Sequence, residues 1–227
     1  MRTLEIGPGT GQATVELLRR GGPVTAIELG HDLAARLVEN VDDPRLRVVE
    51  GAFETVDLGD ARFDLVAAAT SFHWVPPATG LPRVADLLDA GGWVALWWNC
   101  FGDPTRRDPF HDALVPVLRA TAPQLLEIAS DGSAAAGHWY ALDEAARAGE
   151  IDACGRFGPV HVELVRWTGR HTAAEARALF ASFSPWLALD PEPRARVLDA
   201  TAALVEDEFG GVVERPYVTP LYAAMRR

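Results

Sequence analysis

The sequence predicts an α/β fold: a mostly parallel, seven-stranded sheet with helices on both faces and an antiparallel C-terminal strand. Three observations carry this. Short apolar runs alternate with stretches of helical periodicity over residues 3–98. A glycine-rich turn, Gly7-Pro8-Gly9-Thr10-Gly11, joins the first run to the first helical stretch. The chain also ends on a long strand-like segment, Val212–Met225, after helix-rich sequence, which fits a strand returning antiparallel at the sheet edge.

Thr3–Ile6 reads as the first strand, and Gln12–Arg20 as a helix stopped by Gly21-Gly22-Pro23. Val24–Glu28 is the second strand. Asp32–Asn40 is a helix, with Leu33, Leu37 and Val41 at helical spacing. Leu46–Glu50 and Phe63–Ala69 are the third and fourth strands. Leu81–Leu88 is helical up to Gly91-Gly92, and Trp93–Trp98 is the fifth strand. Strands linked in this way by helices pair in parallel through right-handed crossovers. The rhythm then breaks. Cys100–Phe157 is rich in Pro, Gly, Ala and Asp, with helical stretches near Pro109–Ala120 and Asp143–Ala148. It is expected to be an insertion capping the substrate site of a single domain that spans residues 1–227. Val160–Thr168 alternates like a strand, and Ala173–Phe183 and Glu192–Phe209 are helical before the terminal strand.

Composition narrows the chemistry. The 227 residues suffice for one α/β domain, and 48% hydrophobic with 23% charged is ordinary for a globular protein. The apolar run Leu65–Ala69 has the length of a strand, not of a membrane span, and no leader is visible, so a cytoplasmic protein without membrane contact is expected. The net charge of −11 disfavours a nucleic-acid partner, and Arg106-Arg107 is flanked by Asp103 and Asp108. All 21 basic residues are arginine, which excludes a Walker A lysine, a Schiff-base lysine and a lysine base. Cys100 and Cys154 have no metal-ligand spacing, and no metal is expected.

The first turn is the strongest chemical signal. Glycine permits a tight turn and lets a ligand approach the backbone. A dinucleotide site would place a third glycine of GxGxxG at position 12, where Gln12 stands. The pattern is GxGxG instead, with acidic Glu5 just before it, and a carboxylate there suits an ammonium group better than a pyrophosphate. Glu28, at the end of the second strand, lies near the roughly 20-residue spacing at which an acid reaches a ribose hydroxyl.

Glu5–Gln12 together with Glu28 resembles the first two motifs of the class I S-adenosylmethionine-dependent methyltransferases, whose fold is Rossmann-like. Phe63–Trp74, Gly91–Asn99 and Phe209–Met225 resemble a small-molecule branch in which Phe-His-Trp follows the fourth strand. The resemblance implies S-adenosylmethionine as cofactor. It puts Glu5 near the methionine ammonium, directly or through water, and Gly7, Gly9, Thr10 and Gly11 along the cofactor. Glu28, with neighbouring Leu29, falls at the ribose; Ala52 and Phe53 at the adenine; Ser71, Phe72 and His73 beside the methionine moiety. Two features depart from relatives: Ala52 stands where an aspartate often meets the adenine amino group, and no helical segment precedes the first strand.

His73 is the candidate catalytic residue, since a hydroxyl acceptor calls for a base and histidine has a suitable pKa; packing beside the cofactor is its other reading. Trp97 and Trp98 read as core, and Asn99 as able to reach the pocket. His111, His138, Trp139 and Tyr140 are further candidates to line the substrate, too scattered for a metal site. Ser71-Phe72-His73-Trp74 stands where amino-group methyltransferases often carry Asn/Asp-Pro-Pro-Tyr/Phe, which favours an oxygen or carbon acceptor on a small molecule. A homodimer is compatible with this reading. Two alternatives stay open: a protein that binds S-adenosylmethionine without transferring its methyl group, and a nicotinamide oxidoreductase.

Overall fold

The computed structural model describes residues 1–126 and 137–227, with the backbone alone for 137–139. The chain divides into two compact units. The first comprises Met1–Asn99, Asp143–Leu164 and Thr219–Arg227; the second comprises Cys100–Leu142 and Val165–Val218. The stretch read as one insertion is therefore shared between them. Its helix Glu144–Ala153 packs in the first unit against the helix Pro77–Leu87, and Arg156 just beyond it pairs with Asp86 at 2.5 Å.

The first unit is an α/β sheet. Its strands are β1 (Thr3–Ile6), β2 (Val24–Glu28), β3 (Leu46–Glu50), β4 (Phe63–Ala69), β5 (Leu88–Trp97) and the C-terminal part of the last strand, Val212–Met225. They lie in the order β3-β2-β1-β4-β5, with the last strand outside β5. The first five pair in parallel, Glu5 standing beside Ala26 on one side and Ala67 on the other. The last strand runs antiparallel, with Trp97 opposite Leu221. From β1 the chain steps outward through Gln12–Arg19 to β2 and through His31–Asn40 to β3. It then returns to the far side of β1 for β4 and, through Pro77–Leu87, for β5. Right-handed crossovers in opposite directions put the first two helices on one face of the sheet and the third on the other. Leu18, Val24, Ala26, Leu37 and Val41 form the buried seam between the first two helices and the sheet.

The second unit is mainly helical: Pro109–Thr121, Gly137–Leu142, Ala173–Ala181, Ser184–Leu187 and Pro191–Phe209. Phe110, Leu114, Leu118, Phe180, Trp186, Val197 and Val205 lead its core. Helix Ala173–Ala181 starts in a reciprocal cap: Glu175 N donates to Thr172 Oγ1 at 3.3 Å, and Thr172 N donates to Glu175 Oε2 at 2.8 Å. The short strand Cys100–Phe101 pairs antiparallel with residues 217 and 218 of the last strand, and His161–Thr172 also pairs with that strand. Among the described residues, eight strands thus stand where the sequence indicates seven. The eighth, Cys100–Phe101, has two residues and cannot display a period of two.

Candidate functional site

The strand order reverses between β1 and β4. In open parallel sheets the crevice at such a reversal, outside the carboxyl ends of the strands, is where ligands bind. Both segments leaving that point carry residues singled out in the sequence, and they touch. Ser71, just after β4, donates its hydroxyl to the Ile6 carbonyl at 2.5 Å. A Cβ on Gly7 would lie 2.6 Å from the Ser71 Cβ, so the two loops approach as closely as they do only because position 7 is glycine. Gly9 also has positive φ, 58°, but nothing lies within 4 Å of where its Cβ would be. The middle of the turn is open, with its backbone accessible. Asn40, at the end of the second helix, braces the turn by donating to the Thr10 carbonyl at 3.0 Å.

Two carboxylates support the turn. Glu28 is 6% exposed, and each oxygen accepts a backbone N–H, from Gly9 at 3.0 Å and from Gly30 at 3.0 Å. Its side chain therefore joins the glycine turn to the loop after β2, and each oxygen retains a second lone pair. Glu5 is 0% exposed. Thr14 Oγ1 donates to its Oε2 at 2.6 Å, and its Oε1 has no partner among the described residues. Burial pushes the Glu5 carboxyl up to about 7; the Thr14 bond opposes the shift and the Glu28 charge adds to it.

The loop after β3 is tied to the same place, since Gly51 N donates to the Glu28 carbonyl at 2.9 Å. Phe53 is buried and Ala52 part-exposed; the Arg83 guanidinium lies 5.5 Å from the Phe53 ring centre and also bonds the Val56 carbonyl. Leu29 is exposed beside Glu28. After β4, Thr70 has φ 56°, the one non-glycine residue with positive φ among the described residues. A β-branched residue there is strained. It is held by Thr70 N donating to the Trp97 carbonyl at 2.7 Å and by Asn99 N donating to Thr70 Oγ1 at 3.3 Å. Phe72 is buried, Trp74 is exposed, and His73 between them is half-buried. Trp98 Nε1 donates to His73 Nδ1 at 3.1 Å. Burial holds the His73 imidazole below its ordinary pKa.

Glu5, Gly7, Gly9, Thr10, Gly11, Glu28 and Ser71 are thus linked around one turn of the first unit, with Leu29, Ala52 and Phe53 on the adjoining loops and Phe72 and His73 following Ser71. Asn99 is engaged at its strand end, its Oδ1 accepting from Thr219 Oγ1 at 2.8 Å. His111 is exposed in the second unit, on the helix Pro109–Thr121. Tyr140 is part-buried, and the His138 and Trp139 side chains lie outside the described residues. Among the described residues no three His, Cys, Asp or Glu side chains could hold a metal ion, and no helix is long and apolar enough to cross a membrane. Sequence reasoning missed Thr14, Asn40 and the Trp98 contact. Thr14 alone carried a signal, a polar residue one turn into an otherwise apolar helix face below an acid.

Residues 4–96 match the methyltransferase domain family. An uncharacterized methyltransferase of Mycobacterium tuberculosis is 37% identical over 102 residues, which is 43% of this chain and 40% of the relative. Ribosomal RNA small subunit methyltransferase A of Thermosynechococcus vestitus is 37% identical over 79 residues, 35% of this chain and 30% of the relative. The chain thus spans less than half the length of these curated relatives. Among solved structures, phosphoethanolamine N-methyltransferase 2 of Haemonchus contortus, in complex with S-adenosyl-L-methionine, superposes with a TM-score of 0.57. It is 16% identical and covers 100% of this chain and 48% of its own. That likeness establishes the fold.

Proposed function

We propose that this chain transfers a methyl group from S-adenosylmethionine to an oxygen or carbon atom of a small molecule. The observation that carries the reading is the pair of buried carboxylates around the open glycine turn at the sheet's reversal point. The residues fit the cofactor. Glu5 Oε1 is a buried acceptor without a partner, and an ammonium group, or a water bonded to one, completes it. Glu28 has lone pairs left for ribose hydroxyls. The open space at Gly9 admits a ligand against the backbone, and the part-exposed Ala52 and the Phe53 loop lie beside Glu28 on the adenine side.

The bound sulfonium supplies a methyl group that is already reactive. What the chain adds is orientation, worth roughly 7–11 kcal/mol in well-aligned reactions. Glu5 and Glu28 fix the two ends of the cofactor, and the Ser71–Ile6 bond fixes the segment that brings His73 to the reacting side. Ser71-Phe72-His73-Trp74, in place of an Asn/Asp-Pro-Pro-Tyr/Phe segment, supports an oxygen or carbon acceptor. The ribosomal RNA relatives support methyl transfer in general, and they match only a minor share of this chain.

Calorimetry tests the reading. S-adenosylhomocysteine is expected to bind, and NAD to give no heat under the same conditions; the reverse ranking would end the proposal. Glu28→Ala is expected to weaken S-adenosylhomocysteine about 10- to 100-fold, the loss of charge-assisted bonds of about 1.5–3 kcal/mol. Binding without turnover, against a panel of carboxylic acids, phenols and enols, would favour a cofactor-binding protein that transfers nothing.

A further inference from the structure

Trp98 is 2% exposed and cannot swing freely. Its backbone N donates to the Pro220 carbonyl at 3.3 Å. Its ring meets Tyr222, itself 0% exposed, edge-on at 6.1 Å between centroids. From this fixed position its Nε1 lies 3.1 Å from His73 Nδ1. An indole nitrogen only donates, so Nδ1 must present its lone pair. A neutral imidazole carries one proton, which then sits on Nε2. We propose that Trp98 is a positioning residue that holds His73 as an Nε2–H hydrogen-bond donor toward the methyl acceptor. The inference rests on the reading above, in which His73 stands on the reacting side.

The consequence is chemical. Accepting a proton at Nε2 requires the tautomer with hydrogen on Nδ1, and that hydrogen would face the indole N–H across 3.1 Å. The imidazolium meets the same conflict, and burial of the ring acts in the same direction. His73 therefore bonds an acceptor through a lone pair of the acceptor and leaves any proton of the acceptor in place. This suits a nucleophile that is already ionised, such as a carboxylate or phenolate oxygen. There the oxygen lone pair forms the new O–C bond, the C–S bond breaks with its electron pair remaining on sulfur, and no proton has to move. An aliphatic alcohol would need a base that His73 does not provide.

Nuclear magnetic resonance on the whole chain, labelled with 15N in histidine and tryptophan, tests this without any substrate. His73→Asn assigns the His73 signals. The wild type at about pH 8 is expected to show a scalar coupling between Trp98 Nε1 and His73 Nδ1 across the hydrogen bond, with a protonated Nε2 and an unprotonated Nδ1. Trp98→Phe keeps a ring and removes the donor. It should raise the His73 titration midpoint by roughly half a pH unit, because a bond to the neutral form is lost, and should let the Nδ1–H tautomer appear. Absence of the coupling, a protonated Nδ1 in the wild type, or an unchanged midpoint in folded Trp98→Phe overturns the proposal. Should Trp98→Phe fail to fold, the wild-type coupling and tautomer decide alone. Failure here leaves S-adenosylhomocysteine binding untouched, so it is distinct from failure of the functional reading.

Discussion

Glu5, the proposed partner of the cofactor ammonium, works against the stability of the fold that holds it. Its carboxyl, pushed up to about 7 chiefly by burial, binds a proton more tightly in the folded chain than in the unfolded one. The sign follows. Its contribution is fully present below the ordinary glutamate value near 4.5, declines as pH rises through that value, and is gone above about 7. The difference is about 3 kcal/mol. Glu5→Gln cannot ionise, so at pH 8 it should melt roughly 5–10 °C above the wild type, converging toward it at pH 5. The same variant should bind S-adenosylhomocysteine more weakly, because the ammonium loses its charged partner. Melting curves across pH 5–8 decide it: variant and wild type moving in parallel would mean that Glu5 titrates like a surface acid. The two acids were legible in the sequence because the turn pattern and spacing point to them. Their partners were not. Thr14 shows only polarity, and Trp98 and His73 are 25 residues apart and meet only through strand pairing.

Among the elements, helix Pro109–Thr121 depends on one residue at its start. Asp108 accepts from His111 N at 3.0 Å as the cap, and its other oxygen takes Arg215 Nε at 3.0 Å and Nη2 at 2.7 Å. Arg215 is 5% exposed and lies 5.3 Å from the Phe110 ring centre and 5.8 Å from that of Phe180. Asp108→Ala should therefore cost about 3–5 kcal/mol by urea unfolding, since it leaves a buried guanidinium unpaired as well as an uncapped helix. Asp108→Asn keeps the cap and loses the charge, and should fall between. A loss below about 1 kcal/mol for Asp108→Ala would show that Arg215 finds other compensation. Sequence alone located this helix to within a residue, because local signals such as Pro109 after an aspartate mark its start. It could not reveal the Arg215 partner, which is 107 positions away. Helix Glu144–Ala153 shows the opposite limit. Sequence indicates a helical stretch only near Asp143–Ala148, yet the helix runs on through Gly149, which has open space around it, to Ala153; the propensity cost of the glycine is overridden by burial of Arg147 and Ile151 on either side.

At the scale of the whole molecule, charge argues about the acceptor. The chain carries a net −11, with 32 acidic side chains against 21 arginines and no lysine. Many arginines are already engaged with carboxylates at the surface: Arg2 with Asp64 and Asp89, Arg45 with Asp43, Arg107 with Asp112, Arg177 with Asp199, Arg196 with Glu192. Each such pair contributes little to stability, but it removes a cation from the set that a phosphate backbone would recruit. Some relatives methylate ribosomal RNA by name, so the acceptor class is a real question, and it has a direct test. A fluorescent structured RNA, titrated at about 0.15 M salt, should show no saturable binding. Proteins that engage nucleic acid through charge alone bind with Kd on the order of 10⁻⁴ to 10⁻⁶ M, and this chain is expected to be weaker than that range. Binding within it, weakening steeply as salt rises, would mean that the arginines form a positive track despite their carboxylate partners. The acceptor would then be sought in RNA rather than among small ionised molecules.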